Sequence, residues 1–406
     1  MDSKTEIAPA SRLRWLMISL VFAATVVLYI DRQALAVVAP VLGRQFHMSN
    51  VAYSRVVFAF MLAYTISNGC SGAFLDRVGT KIGYAVCMGW WAVAALLHAL
   101  ASGPLSLGVC RFLLGIGEAA NWPAGVKVVA EWFPVRERAL ASGIFNSGSA
   151  IGAVAGPPLA VWVVVRFGWH AAFLGVGALA ILWLAAWLLI YRSPATVENQ
   201  RKAPPIPVMR LLRTRWVSTF TLSKVFSDPV WYFYIFWFPK YLASARGFDL
   251  LDIAKLAWVP FATADAGNLI GGWLSSVLLR IGIPALKSRK ICVMFFATLA
   301  MSSIPAVLCH NVYGAIALIS LATLGYTGAL SNMLAMPADV FPPNAVGSIW
   351  GLASMGSGFG GMIFSLATGW VVDHYSFTPV FFGFGILPLI AAAIVWTLPP
   401  GAHANQ

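Results

Sequence analysis

Four charged residues lie inside two long apolar stretches of the chain. Asp31 and Arg32 follow sixteen uncharged residues, and Arg111 and Glu118 lie within a second apolar stretch. An ionised group in such surroundings is costly unless it is paired or faces water, so each of the four is a candidate functional group. Arginine can bind a carboxylate through two hydrogen bonds, and a carboxyl group beside it can hold or release a proton. These residue types therefore favour binding of an organic anion together with proton exchange.

Two arrangements of these charges stay open. Asp31 and Arg32 could neutralise each other at a helix end, but neighbouring helix residues point about 100° apart and shield one another poorly. Arg111 and Glu118 are seven residues apart, so they share a helix face but are two turns apart, a long distance for a direct pair. A low dielectric favours the protonated form of a carboxyl group, which suits Glu118 as a proton carrier. We predict proton coupling at Asp31, Arg111 and Glu118, and anion binding at Arg32.

The residues around Glu118 favour close helix packing and a bend. Gly115 and Gly117 are small enough to let two helices approach each other. Trp122 and Pro123 follow, and a proline within a helix predicts a kink. We therefore expect this segment to pack tightly on one side and to border a cavity on the other.

Further charged residues within apolar segments have two interpretations each. Lys224 and Asp228 are four residues apart, which suits an ion pair within one helix as well as a functional pair. Asp265 either anchors helix packing, together with Asn268 one turn later, or lines a cavity. Asp339 and Asp373 stand near predicted helix ends and are predicted caps or loop charges.

Aromatic and neutral polar residues complete the predicted binding site. A sugar ring stacks on an aromatic face, and its hydroxyl groups reach the hydroxyl of tyrosine. We therefore consider Tyr64, Trp231 and Tyr234 as substrate contacts, with packing or a membrane-interface position as the alternative for each. Neutral hydrogen-bonding side chains within the helices either join two helices or contact the ligand. These are Asn146, Ser149, Asn332, Ser354 and Ser357.

A short polar motif of the form GxxxDRxGxK interrupts the apolar pattern between two helical segments. It comprises Gly72, Asp76, Arg77, Gly79 and Lys81. Glycine ends a helix and lets the chain turn, and the charged residues can then bridge neighbouring helix ends. We predict a gating role without substrate contact. The alternative is a basic loop that only follows the positive-inside rule.

The composition is that of a polytopic membrane protein. Hydrophobic residues make up 60% of the 406 residues, charged residues only 10%, and the mean hydropathy is +0.80. A disordered chain needs the opposite balance, and a soluble domain carries roughly a quarter charged residues. The net charge of +13 lies mainly in short loops, which indicates membrane topology rather than nucleic-acid binding. No catalytic, metal-ligand or Walker motif is present in the sequence, so we expect no enzyme activity and no cofactor beyond a proton gradient.

Twelve apolar segments predict an all-α protein with twelve transmembrane helices, since a span needs roughly 20 residues. We expect the bundles 1–191 and 216–406, of six helices each, joined by a basic, proline-rich cytoplasmic linker, 192–215. With both termini inside, 18 of the 27 Lys and Arg residues fall on the inner side and 6 on the outer side. The predicted segments are 14–38, 51–75, 82–101, 104–129, 138–164, 169–191, 216–243, 252–280, 290–308, 312–338, 345–372 and 377–398.

The two sets of six segments contain a weak internal repeat. The motif that ends the second segment has a counterpart in Gly271, Gly272 and Arg280, which end the eighth, with Arg289 and Lys290 after it. Duplicated halves place a substrate site between them at the centre of the bilayer. The predicted site residues lie on both halves, as that arrangement requires.

The chain resembles the anion:cation symporters of the major facilitator superfamily at residues 29–32, 111–123 and 131–138. Residues 79–84 and 228–241 resemble the hexuronate transporter branch, whereas an acidic residue at position 31 resembles the galactonate-type members. The resemblance implies a protein of the bacterial inner membrane that imports a sugar acid with protons. It further implies that Arg32 binds the substrate carboxylate, that Asp31 and Glu118 exchange protons, and that Tyr64 lines the cavity.

We expect a proton-coupled importer of a sugar-acid anion, hexuronate or hexonate, that works by alternating access as a monomer in the lipid bilayer. One alternative is a permease for aromatic or dicarboxylic acids, or an exporter working by antiport, because many aromatic residues and one clear arginine also suit a benzoate-like ligand. Another is a transporter-like sensor, which usually carries an added signalling segment.

Overall fold

The computed structural model describes residues 13–133, 135–192, 211, 213–341 and 343–399. The secondary structure of these residues is helical, with no strand among them. The helices are α1 (Leu13–Gln45), α2 (Asn50–Val78), α3 (Thr80–Leu97), α4 (Pro104–Glu118), α5 (Asn121–Trp132), α6 (Val135–Phe167), α7 (Trp169–Ile190), α8 (Arg215–Ser227), α9 (Pro229–Arg246), α10 (Leu250–Leu256), α11 (Val259–Arg280), α12 (Ala285–Ala300), α13 (Ser303–Leu308), α14 (Val312–Val340), α15 (Pro343–His374) and α16 (Thr378–Trp396).

Each of the twelve predicted segments corresponds to one helix or to two consecutive helices, and the all-α fold is confirmed. Eight stretches of the described chain are long and apolar enough to cross a membrane. The first helix extends to Gln45, beyond the predicted end at residue 38, because its apolar pattern continues after the charged residues. The predicted linker 192–215 lies mostly outside the described residues.

Four of the predicted spans are divided near a proline. The fourth is divided between α4, which ends at Glu118, and α5, which begins at Asn121. The seventh is divided between α8, which ends at Ser227, and α9, which begins at Pro229. The eighth is divided before α11, which contains Pro260, and the ninth before α13, which contains Pro305. Proline has no backbone N–H and is best tolerated in the first turn of a helix, and a new helix begins close to each of these prolines. The break that Trp122 and Pro123 predict therefore lies directly after Glu118. Other prolines, such as Pro40 in α1, lie inside a continuous helix.

Glycines spaced four residues apart hold one pair of helices together in each half of the chain. In α6, a Cβ atom at Gly148 would lie 2.7 Å from the carbonyl oxygen of Phe22 in α1, and one at Gly152 would lie 2.5 Å from that of Val26. In α15, a Cβ atom at Gly356 would lie 2.7 Å from the carbonyl oxygen of Thr221 in α8. Gly360, four residues later, meets the backbone of α8 in the same way. Only glycine permits this distance, and its repetition agrees with the predicted internal repeat.

Polar contacts join the two halves at one end of the bundle, which we call the Asp373 side. The Asp373 carboxylate at the end of α15 accepts hydrogen bonds from the backbone N–H groups of Asn50 (2.8 Å) and Val51 (2.7 Å), the first residues of α2. The Tyr53 hydroxyl of α2 donates to the Phe236 carbonyl of α9 at 2.5 Å. Asp373 therefore caps a helix, as the sequence predicts, but the helix belongs to the other half of the chain.

The opposite end of the bundle, which we call the Arg77 side, has polar contacts within each half. In the first half, Glu131 of α5 accepts hydrogen bonds from Thr80 (2.5 Å) and from Tyr191 (2.8 Å). In the second half, Arg289 of α12 pairs with Asp339 of α14 at 3.2 Å. These contacts tie neighbouring helix ends together on one side of the membrane.

Candidate anion- and proton-binding site

The four buried charges of the first half pair between helices, in a way that the sequence does not predict. The Arg32 Nε atom of α1 lies 2.9 Å from Glu118 Oε2 of α4. The Arg111 Nη2 atom of α4 lies 3.8 Å from Asp31 Oδ1 of α1. The pairing of Asp31 with Arg32 and that of Arg111 with Glu118 are thus both replaced by two ion pairs between α1 and α4. Asp31 and Arg32 are neighbours in α1 and point in different directions, so each pairs with a different residue of α4.

These four side chains are almost completely buried, with exposed fractions of 3% or less. The Trp91 indole donates to Asp31 Oδ2 at 2.7 Å. Several polar atoms of the pairs have no hydrogen-bond partner in the part of the chain that the structure describes: Asp31 Oδ1, Arg32 Nη2, Glu118 Oε1 and the three guanidinium nitrogens of Arg111. Buried ion pairs contribute little to stability because of their desolvation, so an incompletely bonded set favours a functional role.

Glycines of α4 bring the charges together. A Cβ atom at Gly115 would lie 2.6 Å from the Phe60 carbonyl oxygen of α2, and one at Gly117 would lie 2.8 Å from Trp91 atoms of α3. The predicted close packing at these two glycines is therefore present. Because α4 approaches both neighbours so closely, Glu118 lies deep enough in the bundle to meet α1.

Three aromatic rings surround the guanidinium group of Arg32. Its Cζ atom lies 4.8 Å from the ring centre of Tyr64, 5.4 Å from that of Phe60 and 5.5 Å from that of Tyr29. Cation–π attraction of this kind holds a guanidinium group in place and leaves its edge free to bind an anion. Tyr64 was predicted from sequence. Tyr29 and Phe60 were missed, although Tyr29 precedes Arg32 by three residues and Phe60 precedes Tyr64 by four, spacings that share a helix face.

Polar residues of the second half lie across from Arg32. The Tyr232 hydroxyl lies 3.3 Å from Ser357 Oγ, and Tyr232 is close enough to interact electrostatically with Arg32. The Trp231 ring stacks on Tyr326 with 5.6 Å between ring centres. Trp231 and Ser357 were predicted site residues. Tyr232 was not among them because the aromatic run 231–234 does not show which rings face inward, and Tyr326 was missed because it is a single tyrosine in an apolar helix.

The pair Lys224 and Asp228 lies beside this group. Lys224 Nζ is 2.7 Å from Asp228 Oδ1, as expected for residues one turn apart, and the Tyr326 hydroxyl donates to the same oxygen at 3.2 Å. The ion pair that the spacing allows is thus present, with Asp228 at the break between α8 and α9. Asp265 and Asn268 are both half-buried on α11.

Other predicted contact residues lie elsewhere in the described structure. The Tyr234 ring is buried and packs against Phe233 and Phe238. The Asn332 side chain donates to the carbonyl oxygens of Gly271 (3.0 Å) and Gly328 (2.9 Å), so it joins α11 to α14. Three further residues make no described contact with Arg32: Asn146 and Ser354 are exposed, and Ser149 is half-buried and donates to the Asn146 carbonyl.

The GxxxDRxGxK motif forms the turn between α2 and α3 on the Arg77 side. Gly79 has φ +87°, which other residues rarely adopt, and its N–H bonds to the Leu75 carbonyl. The half-buried Lys81 accepts a hydrogen bond from Trp187 through its carbonyl oxygen, Arg77 is exposed, and Gly72 is half-buried. The side chain of Asp76 lies outside the part of the structure that is described.

Metal binding has no support among the described residues, in which no three His, Cys, Asp or Glu side chains are grouped closely enough to hold an ion. The site thus consists of two ion pairs, an aromatic surround and neutral hydroxyl groups. This arrangement can bind an organic anion through Arg32 and exchange protons through Glu118 and Asp31.

Comparison with known proteins identifies the family. The model of the Major Facilitator Superfamily matches residues 21–288 and 280–406. The chain is 35% identical over 405 residues to the hexuronate transporter of Escherichia coli (strain K12), covering 95% of this chain and 94% of that protein. It is 37% identical to the galacturonate transporter of Dickeya chrysanthemi, covering 71% and 89%, and 28% identical to the D-galactonate transporter of Escherichia coli O6:H1, covering 97% of both.

Solved structures show the same fold. A D-xylose-proton symporter superposes with a TM-score of 0.76 at 14% identity, covering 97% of this chain and 99% of that chain. A bacterial homologue of the human lysosomal transporter Spinster, in an inward-facing and occupied conformation, superposes with a TM-score of 0.73 at 17% identity, covering 94% and 96%. The chain therefore belongs to the Major Facilitator Superfamily and is an integral membrane transporter rather than an enzyme.

Proposed function

We propose that this protein imports a sugar-acid anion, a hexuronate or a hexonate, together with protons. The single observation that carries the proposal is the buried pair of Arg32 and Glu118, in which Arg32 keeps one terminal nitrogen without a hydrogen-bond partner. The names of the relatives support a sugar acid as the substrate class. The two bundles 1–191 and 216–406 would move against each other around this pair, as a monomer in the bacterial inner membrane with both termini in the cytoplasm.

Competition for Arg32 couples the proton to the substrate. While Glu118 is ionised, its carboxylate occupies the Nε edge of Arg32. When Glu118 takes up a proton, it loses most of its attraction for the guanidinium group, and the substrate carboxylate can replace it with two hydrogen bonds. On the cytoplasmic side, where protons are scarcer, Glu118 loses its proton and competes again for Arg32. The anion then leaves, because the arginine cannot hold two carboxylates equally well.

The second ion pair supplies a second place for a proton. Asp31 is held by Arg111 and by the Trp91 indole. Protonation of Asp31 would leave the positive charge of Arg111 without its counter-charge, so we expect Asp31 to take up a proton only when the substrate brings another negative charge into the bundle. The proposal thus assigns Arg111 to proton coupling and Arg32 to substrate binding.

The rest of the substrate would lie between the halves. Tyr64 borders the Arg32 guanidinium on one side, and Tyr232 with Ser357 lies on the other. Hydroxyl groups of a sugar acid can form hydrogen bonds with the hydroxyl groups of Tyr232 and Ser357, and the sugar ring can lie against Trp231. Binding of the loaded substrate would favour the change between the two open states, whereas a proton alone would not.

Alternating access also assigns roles to the two ends of the bundle. We infer that the Asp373 side faces the periplasm and is closed in this conformation by the contacts of Asp373 and Tyr53 with the other half. The GxxxDRxGxK motif on the Arg77 side would hold the cytoplasmic ends of α2 and α3, and we propose that it acts in gating without touching the substrate.

One observation favours a second candidate, a permease for aromatic or dicarboxylic acids. The rings of Tyr29, Phe60 and Tyr64 around Arg32 offer an apolar surface that also suits a benzoate-like anion. The two candidates differ in which acids compete for uptake.

Uptake into proteoliposomes tests the proposal. We expect labelled galacturonate or glucuronate to accumulate only with an inward proton gradient. Glu118→Gln should retain exchange of internal for external substrate but lose accumulation. A suitable control is Asp252→Asn, which neutralises the carboxylate of an exposed ion pair at 3.2 Å and should accumulate substrate normally. Gradient-driven accumulation by Glu118→Gln would contradict the coupling role, and preferential competition by aromatic acids would favour the second candidate.

A further inference from the structure

The side chain of Gln33 is completely buried and yet has no hydrogen-bond partner. Its exposed fraction is 0%, and neither its amide nitrogen nor its amide oxygen is bonded among the described residues. Asn121, with an exposed fraction of 1%, differs: its oxygen accepts from Tyr84 and its nitrogen donates to Thr25. An unbonded buried amide destabilises a folded protein, so a group of this kind in a native fold needs a reason.

Gln33 lies next to the anion-binding site and is held in place by α6. It follows Arg32 directly and lies one turn after Tyr29, whose ring faces the Arg32 guanidinium. A Cβ atom at Gly152 would lie 2.7 Å from the Tyr29 Cβ, and one at Gly156 would lie 2.8 Å from the Gln33 Cβ. Tyr29 and Gln33 therefore share the face of α1 that packs on the glycines of α6, and the stem of Gln33 cannot move away.

The same face of α1 leads to a cavity on the Asp373 side. This cavity of about 740 Å³ lies between α1, α9 and α10, and Pro40 and Arg44 of α1 line it. Pro40 is seven residues after Gln33, two helical turns along one face. The face of α1 that carries Tyr29 and Gln33 therefore extends from the surroundings of Arg32 to the wall of this cavity.

We propose that Gln33 determines substrate specificity. Its side-chain amide would donate a hydrogen bond to, or accept one from, a hydroxyl group of the sugar acid whose carboxylate is bound by Arg32. An amide can donate and accept, which matches a hydroxyl group, whereas benzoate has no hydroxyl group. A site built to bond a hydroxyl discriminates strongly against a ligand without one, since the buried amide then stays unpaired. This inference rests on the proposed function and adds to it the residue that separates sugar acids from benzoate-like acids.

Replacement by methionine separates this role from a structural one. Methionine has a similar length and no amide, so Gln33→Met removes the unbonded polar group and keeps the packing against Gly156. If the amide serves the ligand, the unliganded variant should unfold at a higher temperature than the parent protein while its sugar-acid binding is weakened. If the amide serves the fold, the variant should unfold at a lower temperature and bind each acid as before.

The experiment compares the parent protein, Gln33→Met and Gln33→Leu in proteoliposomes. Uptake of labelled galacturonate is measured in competition with unlabelled galacturonate and with benzoate, together with thermal unfolding of the unliganded proteins. We expect the KM for galacturonate to rise by about tenfold or more in both variants, the loss typical of a site that can no longer bond the hydroxyl of its substrate. The inhibition constant of benzoate should change by less than about threefold.

The control is Thr25→Val, on the same helix and also with an exposed fraction of 0%, whose hydroxyl is bonded to Val21 and Asn121. It should leave the ratio of the two constants unchanged.

Each contrary result is distinct. An unchanged ratio in Gln33→Met, or a variant that unfolds at a lower temperature or does not fold, would overturn the assignment of Gln33 while the parent still transports galacturonate. Failure of the parent protein to take up or bind any sugar acid would instead overturn the proposed function, and the role of Gln33 with it.

Discussion

At the scale of single residues, the chemistry depends on which carboxylate each arginine meets. Arg32 pairs with Glu118 at 2.9 Å, and Arg111 lies 3.8 Å from Asp31. The sequence identifies all four residues, because charges in apolar helices are conspicuous. It does not identify the pairing, because the partner of each arginine depends on how α1 and α4 are rotated against each other. Gly115 packs against α2 and Gly117 against α3, and these contacts hold α4 in its position. The glycines predict close packing, but they do not show which helices α4 approaches.

The Glu118 pair predicts how substrate binding depends on pH. An ionised Glu118 competes with the substrate for Arg32, so binding of galacturonate to the parent protein should weaken as the pH rises and Glu118 loses its proton. Glu118→Gln cannot ionise, and its binding should stay near the value that the parent reaches at low pH. Equilibrium binding to the detergent-solubilised proteins across a pH series measures this, and a parallel pH dependence in Glu118→Gln would refute the competition.

The crossed pairing predicts a coupling of stability between Asp31 and Arg111. Removal of one partner from a buried ion pair leaves an uncompensated charge, so Arg111→Met should lower the free energy of unfolding by about 3–5 kcal/mol. Asp31→Asn in the same chain should restore much of this loss, because the charge that lacked a partner is gone. Thermal unfolding of the two single variants and the double variant forms the cycle. Rescue by Glu118→Gln instead of Asp31→Asn would show that Arg111 pairs with Glu118.

At the scale of helices, the glycine spacing sets how closely α1 and α6 approach. A Cβ atom at Gly152 would meet the carbonyl oxygen of Val26 at 2.5 Å. Gly152→Ala should therefore force the two helices apart and lower the unfolding free energy by about 1–3 kcal/mol, the usual effect of overpacking. Gly175 of α7 has no atom within 4 Å of the corresponding position, so Gly175→Ala serves as a matched control.

The control should leave stability unchanged or raise it by up to about 1 kcal/mol, because alanine favours a helix more than glycine. Thermal unfolding in a detergent or a lipid bilayer compares the two variants. An equal effect of both substitutions would mean that the glycines of α6 are not needed for close packing. The sequence predicts the existence and approximate ends of these helices from apolar length, whereas the contacting faces become visible only in the structure.

At the scale of the whole molecule, the two halves meet through α2 and α15, which are far apart in the chain. Gly358 and Gly369 of α15 meet Thr65 and Ser54 of α2, respectively. The order of twelve segments predicts two halves with a site between them, but a contact between residues this distant leaves no periodic pattern. The charge of Asp373 indicates a cap, and only the structure shows that the capped helix is α2.

This contact predicts a shift between the two states of the transporter. The Asp373 carboxylate accepts hydrogen bonds from Asn50 and Val51, and hydrogen bonds to a charged group typically contribute about 1.5–3 kcal/mol each. Asp373→Asn replaces one accepting oxygen with a donating NH₂ group beside the same N–H donors. Because these bonds exist only while the Asp373 side is closed, the variant should favour the open state of that side by roughly tenfold or more.

Spin labels at His47 and Tyr375, in a protein without its five cysteines, should then report a longer distance distribution than in the parent. Asp252→Asn, which neutralises an exposed carboxylate within one half, should leave the distribution unchanged. An unchanged distribution in Asp373→Asn would mean that the packing of α2 on α15 alone keeps the Asp373 side closed, and that the ionic cap adds nothing to the balance between the two states.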